Sequence, residues 1–351
     1  MSAEQLAEAS DYFVVAAVLL YVFAMVAFAT ELAFGRFRPG KKADGADAER
    51  HAVRQPVAVG VAAAGAVDAA ADSGSGDAVS VAHGSTAGDL GAVRPGGATV
   101  AGEAEGHDGQ SPGAARAGTV ALVLAWVGWV ANLGAIATRG LAVERWPWGN
   151  MYEFVVAICF AAVTAFLGTQ LRHNVRFLGA FVMVTAALGL GLAVKVFYTA
   201  AGPVVPALNS YWIAIHVTAA IIASGLLTMA GVAGILYLLR GDGMSRLPAR
   251  EDLERVAHRA IVFAFPLWTF AVIAGALWAD RAWGRYWGWD PKEVWSFITW
   301  VAYAAYLHAR VTAGWRGRAA TIVQLVAFAC LLFNLIGVNI FISGLHSYAD
   351  V

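Results

Sequence analysis

Eight apolar runs dominate this sequence, each near the roughly 20 residues that a helix needs to cross a hydrocarbon core. They lie near 11–31, 117–137, 151–170, 176–196, 211–239, 260–279, 295–313 and 319–342. A bilayer interior offers no water to backbone N–H and C=O groups, so runs of this length cross as α-helices. The chain is therefore restricted to an all-α, polytopic integral membrane fold with about eight transmembrane helices. Composition agrees: 59% of the 351 residues are hydrophobic and 14% charged, unlike a soluble globular domain. The formal net charge is zero, which gives no field favouring nucleic acid. Acidic residues, not basic ones, precede the first run, so it reads as a retained helix and not a cleaved leader.

Charge placement orients these spans. With eight crossings, 18 of the 24 Lys and Arg residues fall on one side, and Arg139, Arg145, Lys195, Arg281, Arg285 and Lys292 fall on the other. The richer side is expected to be cytoplasmic. The short loops alone give the same orientation, with both termini and residues 283–291 extracytoplasmic. Three segments follow: an N-terminal transmembrane helix in 1–38, an Ala/Gly-rich loop over 39–116, and a seven-helix domain over 117–351. The loop contains Ser73-Gly74-Ser75-Gly76 and Pro95-Gly96-Gly97 and nearly lacks aromatic residues. It cannot bury enough apolar surface to offset its ordering entropy, so it reads as disordered and cytoplasmic. His51, His83 and His107 within it lack metal-site spacing. Cys159 and Cys330 form no Cys-x-x-Cys pair and read as packing residues.

One loop is chemically distinctive. Trp283-Gly284-Arg285-Tyr286-Trp287-Gly288-Trp289-Asp290-Pro291 places four aromatic rings in seven residues between two apolar runs. A bilayer-boundary anchor needs one or two such rings; this density suits a platform for a flat, apolar, partly charged ligand. His216 enters the fifth run only about 9 Å below its outer end, and His346 follows the eighth run on the same side. An ionisable residue in a membrane helix faces a cavity, a partner or a cofactor, and imidazole is an axial ligand for haem iron. A porphyrin face would stack on Trp283, Trp287 or Trp289, with Arg281, Arg285 and Lys292 as partners for its propionates. Residue chemistry alone leaves two other readings open: a different ligand, or an interface belt whose histidines bond backbone carbonyls.

Other polar residues have simpler expectations. His308 lies about 20 Å deeper than Trp295, too far to share an iron with the outer pair; it is either half of an inner site or an interface histidine beside Arg310. His258 and His173 read as solvated. Glu153 is expected to line the outer vestibule. Asp290 before Pro291 suits a helix N-cap, with Glu293 completing a capping box. Asn334 and Asn339 are expected to hydrogen-bond between helices.

At these residues the sequence resembles a known family. The 283–291 segment, continued by Lys292-Glu293, is similar to the tryptophan-rich WWD signature of haem-handling proteins. It looks most like the CcsA/ResC branch of system II cytochrome c biogenesis, including its actinobacterial CcsB-type members. Trp295-Ser296-Phe297-Ile298-Thr299-Trp300, Tyr306-Leu307-His308-Ala309-Arg310, Gly344-Leu345-His346-Ser347-Tyr348, Ser210–Val217 and Asn150–Phe154 extend the likeness over roughly 118–351. Gly288 and Ala349 depart from it by small-for-small changes, and His258 stands where Tyr is common.

The resemblance implies a haem-handling domain over 117–351 in which His216 and His346 are outer axial ligands of haem b. Trp283, Trp287, Trp289, Asp290 and Arg285 would form the segment against which it sits. His308 would belong to an inner site whose second ligand comes from a ResB-like partner. Haem would cross from the cytoplasmic side and be presented to an apocytochrome c carrying Cys-x-x-Cys-His, this chain being at most the presenting component of a lyase complex. A b-type electron-transfer subunit and a haem exporter are the alternatives.

Overall fold

The computed structural model describes residues 1–35, 112–204, 206–208, 210–240 and 247–346, apart from the side chains of 112 and 207. Most of the expected loop 39–116, and Ser347-Tyr348 of the C-terminal motif, lie outside the described residues. Every regular element among those described is helical. In order they are α1 (Ala3–Phe34), α2 (Pro112–Val143), α3 (Met151–Arg172), α4 (Gly179–Val196), α5 (Tyr211–Leu239), α6 (Arg250–Trp283), α7 (Pro291–Val311), α8 (Gly317–Leu332) and α9 (Val338–Phe341). One 3₁₀ turn precedes α4, a second precedes α5, and a π-helical turn, Phe333–Gly337, joins α8 to α9. Helix α2 begins five residues before the expected span, within the stretch assigned to the loop.

The chain is a multi-pass membrane protein. Among the described residues, seven helical segments are long and apolar enough to cross a membrane. The remaining expected span, 295–313, lies largely in α7, a helix of 21 residues, about 31 Å at the helical rise, that carries Lys292 and Glu293 at its start and His308 and Arg310 at its end. Four of the described starts are fixed by side-chain caps. Ser2 and Gln5 form a reciprocal box at α1, Asn150 accepts the Glu153 amide at α3, and Ser210 accepts the Trp212 amide at α5. Asp290, Pro291 and Glu293 start α7 as the sequence indicates, with both halves of the capping box made.

Helix α1 packs along α2 and against α4, while α5 lies centrally against α3, α6 and α8; α7 pairs with α8. Lipid tails are as apolar as leucine, so small residues that permit close approach drive such packing. Gly225 on α5 shows this: a Cβ there would sit 2.6 Å from the Ala161 Cβ and 2.7 Å from its carbonyl carbon on α3. Asn334 reaches from the π turn to the Ser296 hydroxyl on α7 at 3.1 Å, an interhelical bond as expected. Asn339 instead donates to the Leu335 carbonyl one turn earlier.

The α3–α5 contact gives a paired expectation. Gly225→Val forces the helices apart and should lower thermal stability in detergent by about 1–3 kcal/mol. Gly168→Ala, with nothing within 4 Å of the added carbon, should leave stability unchanged or raise it by up to about 1 kcal/mol. A thermal-unfolding series on the purified protein checks both; a Gly225→Val protein as stable as the parent would contradict the close approach.

Candidate functional site

At one end of the bundle α3, α5 and α7 begin, α6 ends, and the π turn carries the chain toward His346. These ends enclose a solvent-connected cavity with about 1080 Å³ of empty space, its open mouth included. His216, His346, Trp283 and Trp287 all line it, as do Trp278, Lys292 and Asn334. The two histidines, 130 positions apart in sequence, are therefore brought to one cavity.

Each histidine has its Nδ1 committed. His216 Nδ1 lies 2.7 Å from the Ala271 carbonyl oxygen on α6. A carbonyl only accepts, so Nδ1 carries the proton and the neutral ring bears its lone pair on Nε2. Gly275 makes room for this ring: a Cβ there would lie 2.7 Å from His216 Cε1 and 2.8 Å from Nδ1. The carbonyl bond is the one that a structural histidine would make, but it also fixes the tautomer of a ligand. His346 Nδ1 lies 2.7 Å from Asp290 Oδ2. Oδ1 of the same carboxylate accepts the Leu345 amide at 2.7 Å, and Oδ2 accepts the Lys292 amide at 3.2 Å. Burial works to raise the Asp290 pKa, but the bonds from His346, Leu345 and Lys292 outweigh it and hold the carboxyl below its ordinary value. An ionised Asp290 then keeps the proton on His346 Nδ1, again leaving the lone pair on Nε2.

Trp278, which sequence reasoning did not single out, contacts both imidazoles. Its ring stacks on His216 at 6.1 Å and 7°, and meets His346 at 5.6 Å and 62°. Trp283 packs edge-on against Trp278 at 4.8 Å and against His346 at 5.1 Å. The only advance signal was its place five residues before Trp283, at the end of the apolar part of α6.

Other expected site residues lie elsewhere. Asp290 sits behind His346 as a buried cap and does not line the cavity. Trp289 is 70% exposed and meets Trp287 edge-on at 5.8 Å. Its φ of 58° is the left-handed conformation, unfavourable for a bulky residue. It is held there by Glu293 Oε2, which accepts the amides of Gly288 and Asp290 on either side, at 2.8 and 3.1 Å. Arg285 is exposed, with its guanidinium folded against Gly288. His308 is exposed near the opposite end of α7, its Nδ1 3.4 Å from the Thr312 hydroxyl.

Two expectations are corrected. Glu153 does not line the vestibule; it is 3% exposed and clamped by Arg139 and Arg145. Its Oε2 also accepts the Gly149 amide at 2.7 Å, so it rigidifies the Trp148–Met151 wall of the cavity from behind. Arg139 reaches on toward Asp11 of α1 at 3.8 Å. His258 is half-buried, not solvated, and lies 3.3 Å from the buried Tyr306 hydroxyl. His173 is exposed as expected and touches Arg259.

Comparison with known proteins matches residues 148–346 to the cytochrome C assembly protein family. These bounds coincide with the first and last residues lining the cavity. A cytochrome c biogenesis protein CcsA of Gloeobacter violaceus is 32% identical over 277 residues, covering 61% of this chain and 82% of that protein. CcsA of Synechococcus elongatus is 31% identical over 287 residues, covering 66% and 86%. CcsA of Chlamydomonas reinhardtii is 41% identical over 153 residues, covering 42% and 43%. With more than half of the chain matched, and over four-fifths of two relatives covered, this chain belongs to the cytochrome c assembly family, among the CcsA-type cytochrome c biogenesis proteins.

Proposed function

We propose that this chain receives haem b and presents it in the cavity, on the extracytoplasmic side, for covalent attachment to an apocytochrome c. The observation that carries this reading is the pair His216 and His346, each with Nδ1 committed and each lining the same aromatic cavity. Among the described residues no group of three or more His, Cys, Asp or Glu could hold a metal ion. Two imidazoles suit an iron that brings four equatorial nitrogens of its own. Trp278, Trp283 and Trp287 supply the apolar walls that a porphyrin needs.

The orientation rests on the Lys and Arg asymmetry, which puts the cavity, both termini and the 283–291 loop outside. The reacting thiols belong to the substrate. Each cysteine of its Cys-x-x-Cys-His segment adds across one haem vinyl group, sulfur to one carbon and hydrogen to the other. The protein's part is to hold and orient haem. The tryptophan-rich segment is read as the WWD element of a system II protein of the CcsB type. His308, exposed on α7, is read as one ligand of an inner haem site completed by a ResB-like partner. A site assembled from a buried wall and a C-terminal segment beyond the last span favours a transient ligand over the permanently held haem of a b-type subunit.

Replacing both outer ligands, His216→Ala with His346→Ala, should abolish thioether-linked haem in a c-type cytochrome while the protein remains in the membrane. Haem staining of the cytochrome, beside immunodetection of this chain, reads both; undiminished covalent haem would overturn the outer site. Asp290→Asn keeps a good N-cap but weakens the orientation of His346. It should lower haem affinity by about 10–100-fold with little change in thermal stability. Equal losses of affinity and stability would make Asp290 a cap and nothing more.

A further inference from the structure

Three cations were candidates for the carboxylates of a bound porphyrin, and the structure separates them. Arg281 and Arg285 are exposed at the rim, where water competes for them and a salt contact contributes little. Lys292 is different. It stands in the first turn of α7 and lines the cavity beside His216 and His346. Its Nζ is buried and has no hydrogen-bond partner among the described residues.

The two nearest carboxylates in sequence do not satisfy it. Asp290 is occupied by the His346 ring and the amides of Leu345 and Lys292. One Glu293 oxygen accepts the amides of Gly288 and Asp290. A buried ammonium without an acceptor is costly, and an anionic group arriving in the cavity removes that cost. The surrounding wall is aromatic and aliphatic, so such a contact forms in a low-dielectric space, where charge-assisted bonds are strongest.

We propose that Lys292 is the carboxylate subsite of the cavity: its ammonium receives a propionate and fixes how the macrocycle is rotated between the walls. This rests on the haem reading above for the identity of the ligand. It adds a specificity determinant, because a porphyrin lacking its carboxylates would leave Nζ buried and unpaired.

The test uses the full-length protein in detergent, titrated with metal-free protoporphyrin IX and with its dimethyl ester and followed by quenching of tryptophan fluorescence. Neither probe has an iron for the histidines, so this binding is separate from axial ligation. The parent protein should bind the diacid at least about tenfold more tightly than the diester. Lys292→Met should abolish that preference, Lys292→Arg should retain it, and Arg285→Met should leave it intact. A preference that survives in Lys292→Met, or that disappears in Arg285→Met alone, overturns the proposal. Haem titration of the same proteins separates the two readings. A bis-imidazole spectrum with no diacid preference removes the Lys292 subsite alone, whereas a diacid preference without that spectrum removes the axial ligands and leaves the subsite.

Discussion

The Asp290 carboxylate ties the start of α7 to the C-terminal segment that carries His346. It caps α7, accepts the Leu345 amide, and orients the His346 ring. Gly344 permits this approach, since a Cβ there would lie 2.7 Å from Asp290 Oδ1. Without the carboxylate, the segment after α9 would lose its charge-assisted anchor to the tryptophan-rich loop. Glu293 performs the complementary task from within the helix, tying down the two amides that flank Trp289. The loop therefore owes its shape to two carboxylates in one capping box, and its tryptophans are displayed by that frame.

The other half of the cavity is held by a buried ion cluster. Arg139, Arg145 and Glu153 place opposite charges where water is scarce, an arrangement whose disruption typically costs about 3–5 kcal/mol when one partner is removed. Their hydrogen bonds extend to the Gly149 amide and to the Gly202 carbonyl at 3.2 Å, so the cluster fixes backbone on two loops. The histidine from α5 thus faces a wall stiffened by ion pairs, and the histidine from the C-terminal segment is held by a cap. Trp278 touches both imidazoles and is itself buried. A macrocycle held between the two rings would meet its indole, making Trp278 a boundary of the space and not a lid over it.

What the sequence revealed followed the physics of each feature. The spans were legible because backbone satisfaction in lipid leaves a long apolar run no other form, and the start of α7 was legible because Asp-Pro-Lys-Glu is a local signal. His216 and His346 could be paired because both fall at the same end of an alternating bundle. The partners that tune them could not be read. The Ala271 carbonyl carries no side-chain signature, and Gly275 reads as one more small residue in a helix. Trp278 looks like any tryptophan in an apolar run until α5 packs beside it. Glu153 was misplaced because its neutralising arginines come from α2 and the loop after it. Trp289 and Arg285 were grouped with the segment by their place in the tryptophan-rich motif; an irregular loop has no period from which to read which side chains turn inward.

The most direct test is the electronic spectrum of ferric haem bound to the purified protein, compared in the parent, His216→Ala and His346→Ala. Coordination by both Nε2 atoms requires a six-coordinate, low-spin iron in the parent. Each single variant should shift to a high-spin form, with added imidazole restoring the low-spin signal. A parent spectrum without bis-imidazole character, or a low-spin spectrum unchanged by either substitution, would contradict the assignment of these two histidines to one iron.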